Sequence, residues 1–374
     1  MSPAVGINLL WMVAGDVGGT EEYATRLLAP FSSIPDISLS LFGLRGLRHA
    51  HPELKSVGAI HEAPVTGAHR TARVVAERSW LRHRSRKMSF VHHFGGTVPS
   101  NLAAPSLLTI HDLLPLDDPQ LFSAPKARWL AGQIPASIRR AHRVLTPSSH
   151  VADQIADRFS IDRARLHVVP SSHSGREHAT PAATDPAGLS RLGVRQPFML
   201  YPAISYPHKN HRVLLDAMSA METSGVQLVF TGRPDAAQPE IDATIASRGL
   251  SDRVRVLGRV PGAEFEQLFG SASALVFPSR FEGFGLPLIE AMRRRVPVIA
   301  ANATAVPEVV GDAGLLIDPD DATAWAQAID RILGDDVLRS ELVQRGLERA
   351  ADFAPMPCAE RLAAVYRTTL AEVA

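Results

Sequence analysis

The chain is 374 residues long, 45% hydrophobic and 21% charged, with a formal net charge of +1. That length is comfortable for two domains of ordinary size, the composition is that of a globular chain, and the near-neutral balance excludes a global attraction to nucleic acid. A single cysteine, Cys358, excludes an internal disulfide; with no histidine cluster beside it, it reads as a structural thiol in a reducing compartment.

Residues 5–13 are apolar, too few to span a membrane and preceded by no basic leader, so they read as a first buried strand of a cytoplasmic protein. A loop through Gly18 and Gly19 leads to Thr20, expected to cap a helix to Leu28 with Glu21 and Glu22 in its first turn. Strand, glycine loop and helix in that order suit a doubly wound domain, although a tight turn explains a Gly-Gly pair about as well. Strands are expected over 37–42, 90–93 and 106–110. Between the first two lies a basic stretch, 78–87, with Arg78, Arg82, Arg84, Arg86 and Lys87. A solvated helix end is the favoured reading of such a run. The sharper reading is a patch that docks an anionic membrane surface or a lipid-phosphate acceptor.

His92 and His93 are neighbours on a strand and point to opposite faces, which argues against one metal ion holding both. The strand over 106–110 ends on His111 and Asp112, at the edge where open α/β sheets place ligands; a histidine held by local hydrogen bonds is the plainer account. Asp112 is read as orienting the loop or an acceptor. Asp117 and Asp118, and Asp318, Asp320 and Asp321, sit beside prolines and read as turn formers, so no metal is expected. A helix over 126–141 with a kink at Pro135, a strand over 142–146, a helix capped by Ser149 and a strand over 165–169 close the first half. Residues 171–186 are rich in Ser, Ala, Thr and Pro and read as a linker.

The second half opens with a strand over 198–203 and then Pro207-His208-Lys209-Asn210, with Lys209 at the start of a helix from His211 and Asn210 as its cap. Strands over 226–230 and 254–258 follow, the first leading to Arg233 and the second to Arg259 and Val260. The most informative stretch is 274–295. An apolar run over 274–277 is a buried strand ended by Pro278 and Ser279, and a loop of Glu282, Gly283, Phe284 and Gly285 delivers the chain to a helix beginning at Leu286-Pro287. Free N–H groups and the helix dipole favour an anion there, and the two glycines admit a ligand close to the backbone. Glu282 and Glu290 flank that position. Carboxylates only accept hydrogen bonds, so a pair of them beside an anion site calls for a ligand that also carries hydroxyls: a nucleotide sugar. A plain βα turn with two solvated glutamates is the competing reading. Strands over 298–301 and 315–317, a helix over 306–310 and helices over 323–333, 337–350 and 356–373 complete the chain. Strands alternate with helices throughout, the pattern of two α/β Rossmann-like doubly wound domains.

The stretch from Glu282 to Glu290, followed by a helix and the Pro297-Val298-Ile299 strand, resembles the Glu-x7-Glu signature of retaining glycosyltransferases of family 4, which have the two-domain GT-B fold. The resemblance implies a first domain over 1–185 for the acceptor, a second over 186–355 for the donor, and a last helix over 356–374 that crosses back to the first. It assigns Glu282 to the donor sugar, Glu290 to the ribose, and Gly283, Phe284, Gly285 and Leu286 to backbone contacts. His111 is similar to a histidine that reaches the donor sugar, Lys209 to a lysine that pairs with the diphosphate, and Gly18 and Gly19 to a loop near the phosphates and acceptor. The nucleotide base lies against the segment of Arg259 and Val260. One departure stands out: the arginine that many members carry six residues before the lysine is Ala203 here. Arg233 and Arg280 are the candidates for the second cation. The implied activity is metal-independent transfer of a hexose, mannose favoured with GDP-mannose as donor, to a hydroxyl of a saccharide or lipid-linked acceptor in cell-surface polysaccharide assembly. No cofactor is implied beyond the nucleotide sugar. An epimerase on the same architecture, a phosphorylase (which needs a pyridoxal lysine that has no place here) and a non-catalytic sugar-nucleotide-binding protein are the rivals.

Overall fold

A computed structural model describes residues 4–13, 18–173 and 186–373. Residues 14–17 of the first glycine loop and most of the expected linker, 174–185, lie outside the described residues. The chain forms two compact units, one of residues 1–172 with 354–374 and one of residues 173–353.

The first unit holds seven parallel strands: β1 (Ala4–Leu9), β2 (Ser38–Gly43), β3 (Gly58–Glu62), β4 (Phe90–His93), β5 (Ser106–Thr109), β6 (Arg143–Thr146) and β7 (Leu166–Val168). They lie in the order β3-β2-β1-β4-β5-β6-β7. The register is set by pairs such as Val5 with Leu39 and Val5 with Phe90. β4, β5 and β6 are buried throughout, as expected of inner strands covered on both faces. β3 escaped the sequence reading because it is a half-exposed edge strand, Gly-Ala-Ile-His-Glu, with no continuous apolar run. Gly58 suits that edge: a Cβ there would come 2.2 Å from the Leu39 carbonyl oxygen.

Two caps differ from expectation. The helix Gly19–Leu28 starts from Gly18 at φ 63°, whose carbonyl accepts from the Glu21 and Glu22 amides at 3.0 and 3.1 Å. Thr20 is already inside the first turn, because the chain enters the helix through a positive φ that favours glycine. Likewise Ser148, in extended backbone, caps the helix Ser149–Phe159 by accepting from the Val151 amide. Ser149 is the first helical residue.

The terminal helix Pro355–Val373 packs within the first unit. The Tyr366 hydroxyl and His92 Nδ1 are 2.6 Å apart, and His92 Nε2 is 2.8 Å from the Thr109 hydroxyl. Cys358 is fully buried on this helix, in keeping with a packing role. Over 78–87 the backbone is a π-helical turn, Glu77–Leu81, then the short turns Arg82–Arg84 and Ser85–Lys87. Arg78, Arg82, Arg84, Arg86 and Lys87 are all exposed. No helix among the described residues is long and apolar enough to cross a membrane.

The second unit holds six parallel strands: β8 (Phe198–Pro202), β9 (Gln227–Thr231), β10 (Val254–Val256), β11 (Ala274–Phe277), β12 (Val298–Ala301) and β13 (Gly314–Ile317). Their order is β10-β9-β8-β11-β12-β13. In both sheets the order turns back once, between β1 and β4 and between β8 and β11. Such switch points open a crevice beyond the carboxyl ends of the strands, where doubly wound sheets bind ligands.

Candidate active site

Beyond the carboxyl ends of β8 and β11, two loops are stitched together. Tyr201, buried at the end of β8, donates its hydroxyl to the Lys209 carbonyl at 2.7 Å and lies 3.0 Å from the Ser279 hydroxyl. The Arg280 amide donates to the His208 carbonyl at 2.9 Å. Asn210 occupies the N-cap position of the helix His211–Ala220 at φ 56°, but its side chain makes no cap. Its amide donates instead to the carbonyls of Pro278, at 3.3 Å, and Pro319, at 2.6 Å. Loop closure thus takes the side chain that helix capping was expected to use. The Thr304 hydroxyl accepts from the Glu282 amide at 3.1 Å and fixes the far side of the second loop.

These ties bring Lys209 and Glu282 together, 73 residues apart in sequence. Lys209 Nζ donates to Glu282 Oε1 at 2.5 Å, and both side chains are mostly buried. An ammonium has three donors and a carboxylate about four lone-pair sites. The pair therefore orients both groups without exhausting either one.

The helix Leu286–Arg293 begins immediately after, with Gly285 at its N-cap at φ 102°. A Cβ on Gly285 would come 2.6 Å from Leu288 Cδ1, so the loop needs glycine for both conformation and space. The Phe284 ring turns inward, buried and 5.5 Å edge-on from Phe353. Gly283 and Leu286, on either side of Phe284 and Gly285, are half-buried. Glu290 follows on the helix, is buried, and pairs with Arg294 one turn later. The Arg294 guanidinium also grips Glu266 at 2.9 Å and lies 5.2 Å over the Phe269 ring. Arg294, absent from the sequence reading, was legible as an i,i+4 partner of Glu290. Tyr201 and Thr304 gave no such signal.

The remaining second-unit candidates are more peripheral. Arg233 is largely exposed, 3.2 Å from Asp235 and 3.3 Å from the Tyr206 hydroxyl. Arg280 forks onto Asp320 at 2.8 and 2.5 Å. Val260 is half-buried in the loop between β10 and the helix Gly262–Ser271, and Arg259 is exposed. The aspartates act as turn and cap groups: Asp318 accepts from the Asp320 amide, and Asp321 caps the helix Ala322–Gly334. Among the described residues no group of three or more His, Cys, Asp or Glu is arranged to hold a metal ion.

Gly18, Gly19 and His111 belong to the first unit. His111 Nε2 donates to the Phe94 carbonyl at 2.9 Å, and the ring stands edge-on to Tyr23 at 4.8 Å. Burial pulls its pKa down to about 4, so at neutral pH the ring is uncharged and Nδ1 is an acceptor. The local hydrogen bond fixes the tautomer rather than consuming both nitrogens. Asp112 accepts from the Leu114 amide at 3.0 Å and so orients its own loop.

Burial also places His93 at about 3, His211 at about 4, and His92 well below the ordinary histidine range. In the unfolded chain these rings take a proton near pH 6.5. Between the two limits the unfolded state binds more protons, so stability falls as pH falls, by about 1.4 kcal/mol per histidine per pH unit. The melting temperature is expected to be flat just above pH 7 and to drop steadily from pH 6.5 to 4.5. A flat profile down to pH 5 would contradict neutral buried rings.

Residues 17–172 match the family described as Glycosyltransferase Family 4, and residues 190–349 match Glycosyl transferases group 1. The chain is 30% identical over 266 residues to O-antigen chain mannosyltransferase B of Escherichia coli, covering 70% of each chain. It is 28% identical over 258 residues to O-antigen chain mannosyltransferase RfbU of Salmonella typhimurium, covering 69% of this chain and 68% of that one. In fold it is similar to sucrose-phosphate synthase from Thermosynechococcus elongatus, with a TM-score of 0.76 at 21% identity over 99% of this chain and 100% of that one. Two doubly wound parallel sheets, a glycine-bearing loop feeding a helix between two glutamates, and these matches over both halves lead to one conclusion: the chain belongs to glycosyltransferase family 4, an enzyme of the GT-B fold that transfers a sugar from a nucleotide sugar.

Proposed function

We propose that the chain is a retaining, metal-independent mannosyltransferase that uses GDP-mannose and glycosylates a hydroxyl of a saccharide or lipid-linked acceptor, on the cytoplasmic side of cell-surface polysaccharide assembly. The observation that carries the reading is the mostly buried Lys209–Glu282 pair at the entrance to the helix Leu286–Arg293, with Glu290 one turn in. The diphosphate takes backbone amides at that helix start and one or more Lys209 protons, and Glu282 accepts from hydroxyls of the hexose. Glu290 accepts from the ribose, and the backbones of Gly283, Phe284, Gly285 and Leu286 line the ligand. Arg233 supplies the second cation in place of the arginine missing at Ala203, and the Val260 segment meets the base. His111 accepts a sugar hydroxyl through Nδ1, and Gly18 and Gly19 offer backbone to the substrates.

As the glycosidic bond breaks, charge grows on the β-phosphate. Fixed donors that meet that charge lower the barrier without reorganising. Glu282 orients the hexose and offsets its developing positive character, and no residue is assigned as a covalent nucleophile. Mannose is favoured by the names of the two O-antigen relatives. A panel of nucleotide sugars, followed for slow hydrolysis, tests the assignment. GDP released from GDP-mannose faster than from any UDP- or dTDP-sugar is the expected result. A preference for another donor overturns the mannose reading, and an epimerised sugar nucleotide or no turnover at all favours the rivals.

The five exposed cations over 78–87 favour one addition, a peripheral contact with anionic membrane. Sedimentation with phosphatidylglycerol vesicles is expected to exceed that with phosphatidylcholine vesicles and to fall with salt. Equal sedimentation would leave the solvated-face reading in place.

A further inference from the structure

Thr304, in the loop after β12, holds a backbone conformation that its residue type disfavours, with φ at 50°. Left-handed backbone is uncommon outside glycine, asparagine and aspartate, and for a β-branched residue it is an outlier. The surroundings impose it. The Asn302 amide donates to the Ile317 carbonyl at 2.7 Å, the Val306 amide donates to the Ala303 carbonyl at 3.1 Å, and Ala305 and Val306 are fully buried. Glycine would meet that conformation without steric penalty. Strain of this kind persists where the neighbouring structure over-determines it, and it clusters at functional sites.

Threonine brings a hydroxyl that glycine lacks, and that hydroxyl accepts from the Glu282 amide at 3.1 Å. Glu282 is thereby held at both ends, its backbone by Thr304 and its carboxylate by Lys209 at 2.5 Å. The start of the same loop is anchored separately, with the Asn210 amide on the Pro278 carbonyl and the Tyr201 hydroxyl beside that of Ser279. The Thr304 contact therefore bears on Glu282 itself. Lys209 takes Oε1, so fixing the backbone also fixes the direction in which Oε2 points. Epimeric hexoses differ only in where one hydroxyl points. A carboxylate oxygen aimed within a narrow range tells such hydroxyls apart, and a loosely held one does not.

We propose that Thr304 is a positioning residue that sets donor-sugar specificity: by fixing the Glu282 backbone, it aims the carboxylate at one configuration of hexose hydroxyl. This rests on the reading that places Glu282 at the donor hexose, and it names the residue that makes that contact selective. The role runs through Glu282, with no substrate contact assigned to Thr304 itself.

Turnover of GDP-mannose and of GDP-glucose, which differ only at the C2 hydroxyl, is measured for the full chain and for Thr304→Val, Thr304→Gly and Thr304→Ser. If the unaltered protein prefers another donor, that donor and its epimer take their place. Calorimetry reads the affinity for the free nucleoside diphosphate, and thermal melts confirm that each variant is folded. Thr304→Val keeps the branched shape and loses the acceptor, whereas Thr304→Gly suits the positive φ and loses it too. Both are expected to lower kcat for the preferred donor about tenfold, as for a part-buried N–H left without its acceptor. Both should also narrow the preference over the epimer severalfold, with nucleotide affinity unchanged. Thr304→Ser keeps the hydroxyl and is expected to retain the epimer preference. An unchanged kcat and epimer preference in a folded valine or glycine variant overturns the proposal, as does a serine variant that loses the preference. A fall in nucleotide affinity in step with kcat also overturns it, because the loop as a whole has then collapsed. Glu282→Gln in the same assay separates the two assignments. An unchanged epimer preference there removes Glu282 from the hexose, whereas a changed one there with the Thr304 variants unaffected removes Thr304 alone.

Discussion

Lys209→Ala is expected to lower kcat by about 10²- to 10³-fold, on the order of 3 kcal/mol of transition-state stabilisation, as for loss of one fixed donor to developing charge. Two effects have to be separated. The substitution removes a cation from the phosphate, and it also strands the mostly buried Glu282 carboxylate that Lys209 holds at 2.5 Å. Stranding a buried charge is destabilising by several kcal/mol when burial is complete and by less here, where both side chains keep some exposure. Lys209→Ala is therefore expected to melt at a lower temperature. The double variant Lys209→Ala with Glu282→Gln removes the stranded charge and is expected to recover much of that stability while remaining inactive. Recovery of turnover along with stability would show that Lys209 merely holds the loop.

Glu290→Ala is expected to weaken GDP binding by about 1.5–3 kcal/mol, on the order of 10- to 100-fold, the value of hydrogen bonds to a charged group. Calorimetry reads it directly. The helix should survive, because Arg294 keeps its second carboxylate, Glu266, at 2.9 Å. Glu290→Gln keeps an acceptor and should fall between wild type and alanine. An affinity unchanged in both variants would remove Glu290 from the ribose.

The parts of this molecule legible in its sequence are those that local chemistry determines. Inner strands such as β11 announce themselves as short apolar runs because both faces are covered. The helix start at Leu286 is announced by proline and the glycine before it. Edge strand β3 and the caps at Gly18 and Ser148 were not legible, because one depends on exposure and the others on a single residue's φ and ψ. Asn210 shows the limit most clearly. Its type and position announced a cap, and tertiary contacts with Pro278 and Pro319 claimed its side chain instead. The same holds for Lys209 and Glu282. Each was singled out by its own motif, but their contact depends on the β8–β11 adjacency and on Tyr201 tying the two loops.

A crystal structure of the protein with bound GDP tests the central claim most directly. The diphosphate is predicted to sit against the amides at the start of the helix Leu286–Arg293, with Lys209 on its oxygens and Glu290 on the ribose. A nucleotide bound elsewhere, or bound with that helix start untouched, would contradict the account.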